Sequence, residues 1–294
     1  MIITKKQTAT QKIIRYFEGA GLDYYYWDKS FNMHFGYYRR GMNPLALHPM
    51  LDQMNQEVLE RLHLNYVSNP VVLDLGCGLG AGSRTMAKKH NTAQFFGFTI
   101  TPWQVSFGNQ LSQEAGLQDR VSLYQADYTQ LPLADGYADA AFAMESACYA
   151  GGENKMDFVR ELYRLLKPGG RFVINDGFRK HTGLLPVWLE KIYRKNMECW
   201  ALSDLADIHA FVAALKLVGF QNIRIEDASW RVAPSFAHIP RVSLHFYWDV
   251  LRKGELFKLD HQRRNNALAP ALGMIMGLSR KHFGYYIISG EKDG

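Results

Sequence analysis

Three cysteines in 294 residues (Cys77, Cys148 and Cys199) are too few and too far apart for a disulfide framework or a paired-cysteine metal site. Such sparse use suits a reducing compartment, and the cytoplasm is the expected location. No apolar run approaches the ~18 residues that cross a bilayer, so no membrane span is expected. The opening MIITKKQTATQKIIRYF lacks the continuous apolar core and small-residue cleavage site of a signal peptide. Blocks of like charge are missing too. The 34 Lys and Arg against 28 Asp and Glu give a net charge of +6, but the basic residues are dispersed. An anionic small substrate fits that mild excess as well as nucleic acid does, and no nucleic-acid partner is expected. With 47% hydrophobic and 21% charged residues, the chain is not a disordered one. What it has in quantity is aromatic side chains, 16 Tyr and 17 Phe, with many of them before residue 41.

The length suits one large domain, or a core with a smaller cap. Residues 9–20 read as a short amphipathic helix broken at Gly19 and Gly21. The aromatic run LDYYYWDKSFNMHFGYYRRGMNP (22–44) has no clean period and ends in turn residues. Residues 45–62 return to helical spacing, with Leu47, Met50, Leu51, Met54, Val58 and Leu62 on one face. Short apolar runs then alternate with helical stretches. Strands are predicted at 71–75, 94–98, 121–125, 138–144, 171–175, 221–227 and 283–289. Helices are predicted at 83–89, 103–115, 155–166 and 205–217, with a helix-rich stretch after Asp176 and a mostly helical 235–279. This alternation predicts an open, doubly wound, Rossmann-like α/β sheet of seven strands. The expected divisions are an N-terminal aromatic lid segment (1–66), the core (67–228), a helical cap insertion (229–281) and the last core strand (282–294). The string HFGYY occurs at 34–38 and again at 282–286, which reads as coincidence because only the second copy resembles a strand.

The most informative segment is VVLDLGCGLGAGS (71–83). Gly76, Gly78 and Gly80 follow the first strand and precede a helix, where glycines admit a ligand close to the backbone and the helix start offers free N–H groups. A dinucleotide would want a carboxylate about 20 residues on for its ribose. That position reads Gly97-Phe98-Thr99-Ile100-Thr101, without an acid. Asp74, just before the first glycine, would repel a pyrophosphate and would suit a cationic ligand. Both points count against a nicotinamide-dependent oxidoreductase.

DLGCGLG, then GFTITPWQ, QADYTQLPLADGYADAAFAMES and LKPGGRFVI, in that order, resemble a class I S-adenosylmethionine-dependent methyltransferase over about residues 70–178. The resemblance implies S-adenosylmethionine as cofactor. Asp74, Gly76, Gly78 and Gly80 would then hold its methionine and ribose end, with Cys77 as small loop filler. Asp127 would face the adenine amino group, with Tyr128 beside it. GFTITPWQ is similar to the run of the cyclopropane-synthase branch, in which Thr99, Thr101 and Gln104 inherit the ribose contact. Turn formation and capping of the next helix is the structural alternative for the two threonines. WDKSFNMHFGYY (27–38) resembles the aromatic signature of tocopherol-type methyltransferases and, at Trp27, Ser30 and Phe31, that of the C-methyltransferases of the sterol side chain. MESACYA (144–150) resembles a segment of the latter, with Tyr149 where that family has histidine.

The resemblance implies a methyltransferase of specialised metabolism acting on a small apolar acceptor. Methylation of an alkene carbon leaves a carbocation, which aromatic faces stabilise by roughly 0.5–2 kcal/mol each. C-methylation of an isoprenoid is the preferred expectation, and O- or N-methylation of an aromatic or amine metabolite is the alternative. The candidate acceptor-site residues are Tyr26, Trp27, Phe31, Tyr37, Tyr38, Arg39, Cys148, Tyr149, Trp200 and Tyr247, with core packing as the alternative for each aromatic. Glu145 at the end of the fourth strand is the first candidate base, or else a hydrogen-bond partner of the cofactor. His34 and Asp176 are further candidates. Arg39, Arg40, Arg179, Lys180, Arg263 and Arg264 could meet a prenyl diphosphate or could be solvated surface charges. Mg²⁺ is expected only with such a substrate, and no protein metal site is expected. A homo-oligomer is compatible with the sequence.

Overall fold

The computed structural model describes residues 8–255 and 259–294. The part of the N-terminal segment before residue 8, and residues 256–258 of the predicted 235–279 helical stretch, lie outside the described residues. The strands are β1 (Val71–Leu75), β2 (Gln94–Thr99), β3 (Val121–Gln125), β4 (Ala138–Met144), β5 (Leu166–Arg179), β6 (Phe220–Asp227) and β7 (Phe283–Lys292). Around them lie α1 (Ala9–Ala20), α2 (Leu47–Leu62), α3 (Ala81–Lys89), α4 (Pro102–Glu114), α5 (Met156–Leu165), α6 (Val187–Cys199), α7 (Ile208–Val218), α8 (Ser229–Phe236), α9 (Ile239–Arg252) and α10 (His261–Leu278).

The strand order is β3-β2-β1-β4-β5-β7-β6, with β7 antiparallel to both of its neighbours and the first five strands parallel. The central strands β1 and β4 are apolar apart from Asp74 and Asp139, because helices cover both faces. On one face Phe158, Leu162, Phe211 and Leu215 of α5 and α7 pack on Leu73, Phe172 and Ile174. On the other, Met54, Val58 and Met86 of α2 and α3 pack on Val72, Phe95 and Phe142. The strand order reverses between β1 and β4, so their carboxyl ends flank a crevice suited to a ligand.

Two boundaries differ from the sequence reading. Lys167-Pro168-Gly169-Gly170, between the predicted helix 155–166 and the predicted strand 171–175, belongs to a longer β5: Leu166 pairs with Ala138, and the register slips before Ala140 meets Arg171. Gly169, at φ +73°, absorbs the bend. The last strand also runs on to Lys292, held by β5 on one side and β6 on the other.

Over the strand ends, the N-terminal segment and the 235–280 region bind each other. Arg263 of α10 grips Asp23 through Nε and Nη2 (2.8–3.2 Å). Tyr26 Oη donates to Asp249 of α9 at 2.7 Å, and Tyr16 Oη donates to Asn266 Oδ1 at 2.7 Å. Among the described residues no helix is long and apolar enough to cross a membrane.

Candidate functional site

A cavity of about 880 Å³ opens between the strand ends and this helical cap. Its floor starts at the β1–α3 turn. Gly76 sits at φ +89°, and a Cβ there would lie 2.3 Å from that of Ser146. Only glycine brings these two loops together. Gly80, at φ +73°, caps α3 through its backbone alone, with no side-chain bond to the first N–H groups of that helix. Asp74 is buried at the end of β1 and accepts a 2.6 Å hydrogen bond from Ser83 Oγ. Burial lifts its carboxyl to about 7, against the pull of that bond and of the nearby Arg84.

The neighbouring strand ends supply polar atoms that lack partners among the described residues. Thr101 stands at the N-cap of α4 but makes no capping bond, so its Oγ1 is buried and unpaired. Gln104 spends Oε1 on Thr99 Oγ1 (2.6 Å), which leaves its buried Nε2 without an acceptor. A donor and a hydroxyl buried close together and unsatisfied cost about 1–3 kcal/mol each, which is the mark of a ligand site. Asp127 is exposed, ties one carboxylate oxygen to Thr129 and also lines the cavity, while Tyr128 Oη donates to the Ser146 carbonyl at 2.6 Å.

Glu145 follows the last residue of β4 and takes a left-handed backbone (φ +51°), an uncommon conformation for a residue other than glycine and one that clusters at functional sites. Its Oε1 accepts from the Phe35 amide (2.6 Å) and from Tyr285 Oη (2.8 Å). Tyr285 in turn accepts from Asn175 Nδ2 at 2.9 Å. No bond to Oε2 is made among the described residues. Burial, opposed by those two bonds, pushes the Glu145 carboxyl up to about 8. The two HFGYY strings thus converge: Phe35 of the first and Tyr285 of the second meet edge-to-face and hold one carboxylate oxygen. Sequence reading missed Tyr285, and the repeated string was the available signal.

Asp176 also lines the cavity, but both its oxygens are occupied by backbone amides, Oδ2 by Cys148 (2.9 Å) and Oδ1 by Gly177 (2.7 Å). Burial still raises it to about 6. His34 lines the cavity with Nδ1 facing the Phe35 carbonyl and Nε2 facing Asn32 Oδ1, and burial lowers its pKa, so the neutral ring donates to one of these two oxygens. The geometry gives it the work of holding its loop.

Tyr26, Trp27, Phe31, Cys148, Tyr149 and Trp200 line the cavity, joined by Phe17, Tyr24, Phe35, Phe236 and Phe246. Tyr37, Tyr38, Arg39 and Tyr247 do not. Tyr37 points outward to Glu226 (2.7 Å), Tyr38 packs against Leu47 and Met50, and Tyr247 is exposed on the outer face of α9. Arg39 is bound by Glu57 (2.6 Å) and Glu60 (3.2 Å), two acids one turn apart on α2. Arg263 is held by Asp23, Lys180 by Asp227, and Arg179 and Arg264 by backbone carbonyls. Among the described lining residues Arg280 is the one Lys or Arg, and it stacks over Trp230 at 4.1 Å with Asp227 3.7 Å away.

Residues 73–174 match the family model described as a methyltransferase domain. Methyltransferase GfsG of Streptomyces halstedii is 32% identical over 207 residues, covering 69% of this chain and 71% of that protein. The chain belongs to the S-adenosylmethionine-dependent methyltransferase family. Within it, the tocopherol O-methyltransferase of Arabidopsis thaliana is 31% identical over 177 residues, 59% of this chain and 50% of that protein. The chain spans about half the length of several curated relatives it matches. Among solved structures, the cyclase SpnF superposes with a TM-score of 0.77 at 23% identity, covering 98% of this chain and 97% of that one. That likeness concerns the fold, and fold alone does not fix a reaction.

Proposed function

We propose that this methyltransferase acts on the carbon of an alkene in a small, apolar, isoprenoid-like acceptor. The observation that carries the reading is Glu145: a half-buried carboxylate with one oxygen tethered and the other without a partner among the described residues, in an aromatic chamber, beside the glycine turn. Asp74, the Gly76–Gly80 turn, Thr101, Gln104 and Asp127 would hold S-adenosylmethionine, and the unpaired Thr101 Oγ1 and Gln104 Nε2 suit its ribose hydroxyls. Bound there, the cofactor supplies an electrophilic methyl group. The chamber orients the acceptor and excludes water, the larger part of what such a transfer needs. Ring faces of Tyr24, Trp27, Phe31 and Tyr149 stabilise the cation left on the acceptor. Glu145 Oε2 removes a proton from the carbon beside it, and the C–H electrons form the new double bond. Tyr285 and the Phe35 amide keep Oε1 in place meanwhile.

Two features favour a neutral acceptor over a prenyl diphosphate. Arg39, Arg40, Arg179, Lys180, Arg263 and Arg264 are not among the lining residues, and Arg280 is shared with Asp227. Mg²⁺ has a part only with a diphosphate. The O-methyltransferase relative keeps a second reading open, methyl transfer to a phenol or amine with Glu145 taking the heteroatom's proton. Methyl-labelled cofactor with isoprenoid alkenes, sterols, phenols and amines separates the two. Label on a former alkene carbon is expected, and label confined to oxygen or nitrogen refutes the carbon assignment.

A further inference from the structure

Asn196, on α6, is completely buried and lines the chamber in its helical cap. Its Nδ2 donates to the Ala269 carbonyl at 2.7 Å, which fixes the orientation of the amide. Its Oδ1 is buried without a donor among the described residues. No role in holding the cofactor explains this atom, since it stands on the α6–α10 wall and not on the strand ends. The facing helix shows the same character. Asn266, Pro270, Gly273 and Gly277 of α10 recur at helical spacing and all line the chamber. Pro270 has no N–H, so the Asn266 carbonyl loses its helical donor. At Gly273 a Cβ would come within 3.0 Å of the Trp200 ring, so the wall is glycine where the chamber is narrow. The wall therefore offers the Asn266 carbonyl as a second acceptor and no cation, with glycines set between the bulkier lining residues Met274, Met276 and Leu278.

We infer that Asn196 Oδ1, with the Asn266 carbonyl of α10, is a recognition site for a neutral hydrogen-bond donor on the acceptor molecule, a hydroxyl group at the end of an otherwise hydrocarbon skeleton. The inference rests on the chamber being the acceptor site proposed above. At Asn196 Oδ1 a phosphate or carboxylate brings lone pairs against lone pairs and is disfavoured. An alcohol satisfies Asn196 at no cost in charge burial.

The test compares ligands as well as proteins, because Asn196→Leu also removes the bond to Ala269. Calorimetric titrations of the wild-type protein, saturated with S-adenosylhomocysteine, use farnesol, farnesyl methyl ether and farnesyl diphosphate. The alcohol is expected to bind about tenfold tighter than its ether, the worth of one buried hydrogen bond. In Asn196→Leu that ratio should fall to about one, with affinity for S-adenosylhomocysteine unchanged. A ratio near one in the wild type, tighter binding of the diphosphate, or no binding of any of the three overturns the inference. Methyl transfer is scored separately. A wild-type alcohol preference without transfer leaves the site standing and removes the proposed reaction, and transfer without that preference does the reverse.

Discussion

The two halves of the cavity are built in opposite ways. The floor comes from one unbroken stretch of sequence, residues 73–176, whose functional groups sit where strands end. Its polar atoms are few and each has a defined direction. The cap is assembled from segments far apart in sequence, the turn Gly21–Tyr26, α6, α9 and α10, and its lining is mostly hydrocarbon and ring. The floor has a parallel sheet to hold its geometry, whereas the cap is joined by side-chain ties such as Asp23–Arg263 and Tyr26–Asp249. One half is rigid and chemically exacting, and the other is adaptable in shape. Changes in the floor should therefore strike cofactor binding or turnover outright, and changes in the cap should alter acceptor preference by degrees.

The largest effect is expected from Glu145→Gln. The amide is nearly the same size and cannot take the proton, so turnover should drop by roughly 10²–10⁴-fold. Affinity for S-adenosylhomocysteine should stay within about twofold, because the amide keeps the oxygen that accepts from the Phe35 amide and Tyr285, and neither partner belongs to the glycine turn. Full activity in this variant would move proton removal to another group, with Asp176 the remaining candidate. Asp74→Ala should do the opposite. It takes a buried carboxylate from the cofactor end and should weaken binding of S-adenosylmethionine by about 100-fold in calorimetry. Acceptor binding, measured by fluorescence quenching, should not follow it. If both variants lowered the same quantity, the division of labour within the floor, Asp74 for the cofactor and Glu145 for the proton, would fail.

A pH series sharpens the contrast. Burial holds the Asp74 carboxyl at about 7 and that of Glu145 at about 8, both far above the unfolded range. Between about pH 4 and 8 the folded protein then holds more protons than the unfolded one, so the unliganded protein should lose stability as pH rises through that window. A cation bound beside these groups favours their ionised forms and releases protons. Affinity for S-adenosylmethionine should therefore rise by several-fold from pH 6 to 8, and by less for the uncharged sulfur of S-adenosylhomocysteine. Calorimetry in buffers of different ionisation enthalpy counts the protons released. Equal pH profiles for the two ligands would show that neither carboxylate senses the sulfonium.

How much of this the sequence disclosed follows the same division. The strand–turn–helix pattern, Asp74, the glycines and the Thr99–Gln104 run are local in sequence and local in space, so spacing and residue type reveal them. Glu145 is legible because a strand end in an open sheet points to the ligand side. The cap is not legible in this way. Tyr37, Tyr38 and Arg39 continue the same aromatic run as Trp27 and Phe31, yet the backbone turns at Gly36, close against Met50, and takes them outside the chamber. Arg39 looked free because its partners, Glu57 and Glu60, lie on a helix that a single sequence does not place beside it. Tyr285 and Asn196 depend on tertiary contacts with Glu145 and α10, and periodicity has no term for those.

The smallest expected effect tests whether the cap is loosely held. Tyr26→Phe removes a half-buried hydroxyl whose hydrogen reaches Asp249 at 2.7 Å, while the ring keeps its edge-to-face contact with Phe246. Loss of one such bond is worth about 0.5–1.5 kcal/mol, and for a protein of this size that is a shift of only a few degrees in Tm. Asp249 keeps Lys253 at 2.9 Å, so no carboxylate is stranded. Affinity for S-adenosylhomocysteine should not change, because no atom of the floor is touched. The Michaelis constant for the acceptor should rise by about two- to threefold, since the Gly21–Tyr26 turn and α9 together form the aromatic wall. A larger loss of stability, or a loss of cofactor affinity, would mean that cap and floor form one cooperative unit and that the ties between N-terminal segment and α9 support the whole site.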